Sequence, residues 1–107
     1  METGGGNSVS ESAPKVLSPD DVRAKVADLE GWRVVDGKLV KSFDFDDFVS
    51  AVRFVDRLAD VAEQMGHHPD LNLGWGNVTA QLSTHSAGGI TDADISLARG
   101  IDGVREG

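Results

Sequence analysis

Between Phe48 and Met65 the apolar residues Phe48, Ala51, Val52, Val55, Leu58, Ala59, Ala62 and Met65 recur at three- and four-residue intervals for more than four helical turns. No other feature restricts the fold as much. A stripe this long on one helix must be covered by a second layer of structure, so the remaining segments have to supply an apolar face of their own. Gly66, directly after the stripe, is a C-terminal stop.

The flanking segments read as short elements suited to that task. Ser18-Pro19-Asp20-Asp21 is a helix start, with a serine cap, proline at the first helical position and acids in the first turn. Val22, Val26 and Leu29 follow at helical spacing, and Gly31 ends the element. Trp32–Val35 and Lys38–Phe45 are β-rich runs joined by Asp36-Gly37, a favoured two-residue hairpin turn. After Gly66 come Leu71–Leu73 and Val78–Thr84, on either side of a turn at Gly74-Trp75-Gly76-Asn77. In the second of these, Val78, Ala80 and Leu82 alternate with Thr79, Gln81 and Ser83, which implies one buried and one open face. Thr91-Asp92-Ala93-Asp94 begins a last helix that carries Ile95, Ala98 and Ile101 inward. The order α-β-β-α-β-β-α predicts an α+β domain, a four-stranded antiparallel sheet with helices packed on one face. Residues 1–14, rich in Gly, Ser and Glu, are expected to be a disordered tail, and residues 15–107 a single domain.

A chain of 107 residues supports one small core, and its 39% hydrophobic and 26% charged residues are ordinary for a globular domain. The net charge of −8, with the Lys and Arg residues scattered between Lys15 and Arg105, argues against nucleic acid as a partner. No apolar run approaches the roughly 18–20 residues that span a bilayer, so no membrane partner is expected. The first residues lack the basic-then-apolar pattern of a secretory signal, and there is no cysteine for a disulfide or thiolate site. A cytoplasmic protein is the expectation.

Chemistry is to be sought where all three histidines fall, at His67, His68 and His85. Imidazole titrates near neutral pH, which suits it to moving protons or holding a metal. A histidine at a helix C-terminus also interacts favourably with the helix dipole, which would account for one such residue more simply than for a tandem held by Pro69. Pro69 biases His68 toward an extended backbone, aiming its side chain away from the helix axis. His85 ends the Val78–Thr84 run on the parity of Thr79, Gln81 and Ser83, which places it on the open face. A helix end and a strand end would then converge on one cleft. As metal ligands, adjacent histidines share no helical face, although Glu63 and His67 have the four-residue spacing that does. The remaining reading is metal-free acid–base chemistry, with Glu63 orienting the imidazoles. Asp94 is most simply a first-turn acid close to a capping box, and Trp32 and Trp75 are most simply packing residues. Gly88-Gly89 reads as a turn, and no phosphate-binding glycine motif is present.

Taken together these residues resemble the pterin-4a-carbinolamine dehydratase family. The resemblance rests on Glu63, then His67-His68-Pro69, Trp75, the alternating run Val78 to Leu82, Ser83-Thr84-His85, Ala87-Gly88-Gly89 and Thr91 to Asp94. Upstream, Gly31-Trp32, Phe43-Asp44-Phe45 and Asp47-Phe48 extend it, so that it covers most of the chain from about Ser18 to Ile101. It implies removal of water from a 4a-hydroxytetrahydropterin to give the quinonoid dihydropterin in tetrahydropterin recycling. It also implies that no metal or other cofactor takes part and that the pterin is the substrate. By the same resemblance His67, His68 and His85 are the acid–base groups, and Glu63 and Asp94 are the carboxylates that orient them. Gly66, His67, His68, Ser83, Thr84, His85 and Ser86 would line the pterin pocket, and a homodimer or tetramer is expected. Some animal members also stabilise the dimer of a homeodomain transcription factor, so the alternative class is an assembly module with vestigial catalysis. There are departures: Gly66 stands where some relatives carry a charged residue, Trp75 replaces a frequent tyrosine, and Gly74 and Gly76 beside it are expected to loosen the hairpin. On the long helix, Phe54 and Val61 fall outside the main stripe and either meet a second subunit or widen the contact within the chain.

Overall fold

The structure, a computed structural model, describes residues 15–106, so the expected tail at 1–14 lies outside the described residues. Helix α1 spans Pro19–Val26, strand β1 Arg33–Val35, strand β2 Lys38–Asp44, helix α2 Phe48–Met65, strand β3 Asp70–Leu73, strand β4 Asn77–Leu82 and helix α3 Asp92–Glu106. The predicted order is therefore observed. Ser18 caps α1 by accepting the Asp21 amide at 3.1 Å, with Pro19 at the first turn. This helix is shorter than predicted. It stops at Val26, and Leu29 reaches the core from a run of turns stapled by amide bonds to carbonyls three residues back, at Lys25 and Val26. Gly31 (φ 84°) ends those turns, where a β-carbon would sit 2.9 Å from Lys41 Cε.

Asp36 (φ 52°) and Gly37 (φ 76°) both take the left-handed conformation that a tight hairpin turn requires, and they join β1 to β2 as expected. The sheet order is β1-β2-β4-β3, antiparallel throughout. One face carries Leu39, Phe43, Val78, Ala80 and Leu82, and packs against Phe54, Leu58 and Ala62 of α2 and Leu97, Ala98 and Ile101 of α3. The other face is mainly polar, with Val35 and Val40 as its apolar residues. Ser42 and Thr79 are cross-strand partners with hydroxyls 2.9 Å apart, and Asn77 Nδ2 donates to Asp44 at 3.0 Å.

Three expectations are corrected. On α2, Phe54 is fully buried against Phe43 and Phe45, with ring centroids 4.9 and 5.1 Å away, and Val61 packs on the core, so both widen the contact within the chain, one of the two readings offered. Phe48 and Met65, predicted inside, are 47% and 44% exposed. At about 100° per residue, α2 is turned roughly 45° from the predicted phase. The cause is the aromatic side chain: Phe54 buries more apolar area than Phe48 or Val52, and it meets two other phenylalanines in the core. Trp32 is buried as expected and donates Nε1–H to the Asp102 carboxylate, but Trp75 stands 71% exposed at the tip of the β3–β4 hairpin. Finally, Gly76 tightens that hairpin rather than loosening it. Its amide carbonyl accepts the Phe45 N–H at 2.8 Å, and a β-carbon there would lie 2.7 Å from the Phe45 carbonyl oxygen.

Candidate active site

The histidine tandem is set by how α2 ends. Gly66 takes the left-handed conformation (φ 64°), its amide bonds the Glu63 carbonyl at 3.2 Å, and the His67 amide bonds the Ala62 carbonyl at 3.1 Å. This double closure turns the chain sharply off the helix axis. The four-residue spacing of Glu63 and His67 therefore no longer means a shared face. Glu63 Oε2 instead lies 2.5 Å from His68 Nε2, and His67 Nε2 lies 2.5 Å from Asp94 Oδ1. Glu63 and Asp94 thus each pair with one imidazole, Glu63 with His68 and Asp94 with His67.

Asp94 comes from the first turn of α3. Its Oδ2 accepts the Thr91 amide at 2.9 Å, while Thr91 Oγ1 accepts the Ala93 amide at 3.2 Å, which makes the capping box anticipated from Thr91 and Asp94. The carboxylate does more than cap. It is completely buried and also receives the Thr84 hydroxyl at 2.8 Å, and Thr84 Oγ1 lies 2.7 Å from Thr91 Oγ1. A buried carboxylate is tolerable only when its lone pairs are occupied, and here His67, Thr84 and Thr91 occupy them.

Thr84 holds the third histidine. The strand ends at Leu82, and Thr84 and Gly89 form a single bridge across a tight loop. The Thr84 carbonyl accepts the amides of Ala87 and Gly88 at 3.0 and 2.9 Å, and Gly88 (φ 79°) supplies the left-handed residue. His85 thus sits on a pinned turn rather than at a strand end, a correction to the predicted placement. Its ring is exposed and has no side-chain hydrogen bond among the described residues.

These pieces converge as predicted. Gly66, His67, His68, Ser83, Thr84, His85 and Ser86 line one cleft of about 350 Å³, joined by Pro69 and Asp70. Glu63 and Asp94 stand behind the two histidines they bind. Asp70 was missed, and the only sequence signal for it is its position directly after the His67-His68-Pro69 turn. Among the described residues, no three His, Cys, Asp or Glu side chains are grouped as a metal would need them. With Nε2 of His67 and of His68 each facing a carboxylate, Nδ1 of each ring is the atom left for other partners.

A four-stranded antiparallel sheet bearing helices on one face thus sets two carboxylate-paired imidazoles and a third, exposed one around a small cleft. The sequence profile described as pterin 4 alpha carbinolamine dehydratase matches residues 15–104, and the chain belongs to that family. A Thermosynechococcus vestitus protein named provisionally as a pterin-4-alpha-carbinolamine dehydratase is 50% identical over 88 residues, covering 82% of this chain and 93% of the relative. A similarly named Mycolicibacterium vanbaalenii protein is 46% identical over 89 residues, covering 83% and 96%. Among solved structures, a transcriptional coactivator/pterin dehydratase from Brucella melitensis superposes with a TM-score of 0.81 at 33% identity, covering 84% of this chain and 98% of that one. A pterin dehydratase-like protein identified as a RuBisCO assembly factor in the alpha-carboxysome gives a TM-score of 0.59 at 28% identity, covering 70% and 89%.

Proposed function

We propose that this protein removes water from 4a-hydroxytetrahydrobiopterin, or a close pterin relative, to give the quinonoid dihydropterin, using its histidines as acid and base and no metal. The observation that carries the reading is the meeting of His67, His68 and His85 on one cleft, two of them held by carboxylates. In the reaction the C4a–O bond breaks, the departing oxygen takes a proton, and N5–H gives one up as the C4a=N5 double bond forms. One water leaves and no electrons are transferred. Hydroxide is a poor leaving group, so a protonated imidazole at the oxygen and a neutral one at N5 lower the barrier together. His67 and His68, each with a carboxylate at Nε2, are the groups suited to holding a fixed ring orientation, and His85 on its turn completes the set. The substrate ring lies among them, against Ser83 to Ser86.

The protein acts as a homodimer at least. Both edge strands are open: β1 is exposed along its length and β3 along most of it. The outward rim of α2, with Phe48 and Val49, is apolar as well. A second reading, an assembly module of the same fold, draws on the described role of the alpha-carboxysome neighbour. Retention of all three histidines and both carboxylates favours the enzyme.

The test is the decay of a 4a-hydroxytetrahydropterin with and without the purified protein, run after exhaustive EDTA treatment. Decay well above the spontaneous rate, unaffected by EDTA, supports the reading. Decay at the spontaneous rate, or turnover abolished by removal of bound zinc, refutes it.

A further inference from the structure

A second and larger recess adjoins the histidine cleft. It holds about 990 Å³ and shares Ser83, Thr84 and His85 with the cleft, so a molecule seated against His85 has access to both. Its remaining walls come from elements that the proposed chemistry does not use. Val22 and Val26 of α1 form one side, and Trp32 and Val34 another. The segment at Val16 and Leu17 closes the third, tied to the 83–90 loop by the Leu17 amide on the Ile90 carbonyl at 2.8 Å. On this side α1 is short: it buries Val22, and Val26 only in part.

Charge marks its mouth. Arg23, Arg33 and Lys38 line it against the single acid Asp36, in a chain whose net charge is −8. Arg23 is paired with Asp20, whereas Arg33 and Lys38 have no acidic partner within salt-bridge distance among the described residues. A cavity with apolar walls and a cationic rim fits a ligand that is apolar near its middle and anionic at its end.

Resting on the dehydratase reading, we propose that this recess is a subsite for the substituent of the pterin ring, and that the preferred substrates carry a long apolar or aromatic substituent ending in carboxylate. Size makes the argument. A three-carbon dihydroxy chain has five heavy atoms, and at roughly the 30 Å³ that one water occupies it would fill about 150 Å³. The recess is several times larger. A pterin in the cleft would pass its substituent beside His85, along Trp32 and Val34, and bring a terminal carboxylate to Arg33 and Lys38.

The probes are 7,8-dihydrobiopterin, with the short chain, and 7,8-dihydrofolate, with an aryl substituent ending in glutamate, both titrated by calorimetry. Dihydrofolate is expected to bind about 10-fold more tightly or better. That preference should shrink as salt is raised, since an exposed ion pair is screened. In the Arg33→Glu/Lys38→Glu double variant the ratio of the two affinities should fall about 10-fold. Equal affinities, a ratio insensitive to salt and unmoved in the variant, would overturn the subsite while dihydrobiopterin binding and dehydration leave the histidine site standing. Failure of both pterins to bind, with dehydration at the spontaneous rate, would overturn the dehydratase reading and the subsite with it. The salt series on the unaltered protein decides the matter even if the double variant fails to fold.

Discussion

Asp94 is one residue placed in two roles, and the two can be separated experimentally. Its Oδ2 serves the Thr91 amide and the Thr84 hydroxyl, while Oδ1 faces His67 Nε2. Asn in its place can keep the first pair through its carbonyl, but then turns an NH₂ toward His67. The ring must answer with an acceptor at Nε2, which moves its proton to Nδ1, the atom left for substrate. Asp94→Asn should therefore lose about 10²–10⁴ in dehydration and about 1–3 kcal/mol in stability, and nitrogen NMR of the His67 ring should report the exchanged tautomer. His85→Ala should show the opposite balance. The residue is exposed on its turn, so stability should hold within about 0.5 kcal/mol in denaturant melts while turnover falls about 10²-fold or more. Near-native turnover in this variant would remove His85 from the site.

At the scale of elements, α2 offers a test of its own phase. Phe54 is completely buried and Phe48 is 47% exposed on the same helix. Phe54→Ala should cost about 3–5 kcal/mol and Phe48→Ala under about 1, read from urea denaturation midpoints. The reverse ranking would restore the phase predicted from the sequence. The start of this helix has a pH signature. Hydrogen bonds from Ser50, first its side chain and then its amide, hold the Asp47 carboxyl below its ordinary value of 3.8. A group depressed in the folded state stabilises above its unfolded value and loses that contribution as pH falls through the folded one. Asp47→Ala should thus lower the melting temperature at pH 7, and the difference should shrink below about pH 3.8. Element order, the Asp36-Gly37 turn, the Gly66 stop and the capping box were all legible in the sequence, because each is local chemistry within a few residues. The phase of α2 was not. Its apolar arc is wide, and the choice depends on Phe43 and Phe45 arriving from another strand. Which carboxylate meets which histidine was not legible either, because Gly66 turns the chain off the helix axis and Asp94 arrives from another helix.

For the whole molecule, the outward apolar residues and open sheet edges predict association. Light scattering at micromolar concentration should give at least twice the chain mass of 11.3 kDa. A monomer at that concentration would contradict it. Exposed Trp75 and Leu73 on the β3–β4 hairpin add apolar surface to the β3 edge. The capping box has another consequence. Because Asp94 in the first turn of α3 is also the partner of His67, the proposed site is completed only when the C-terminal helix nucleates. A molecule in which only the first turn of α3 has frayed keeps its sheet and its histidine tandem but holds His67 without its carboxylate. Such a molecule would keep its shape by most spectroscopic measures and yet be inert. Under mild denaturant, then, loss of turnover should follow fraying at Thr91 to Asp94, seen as faster amide exchange there, ahead of the collapse of the sheet.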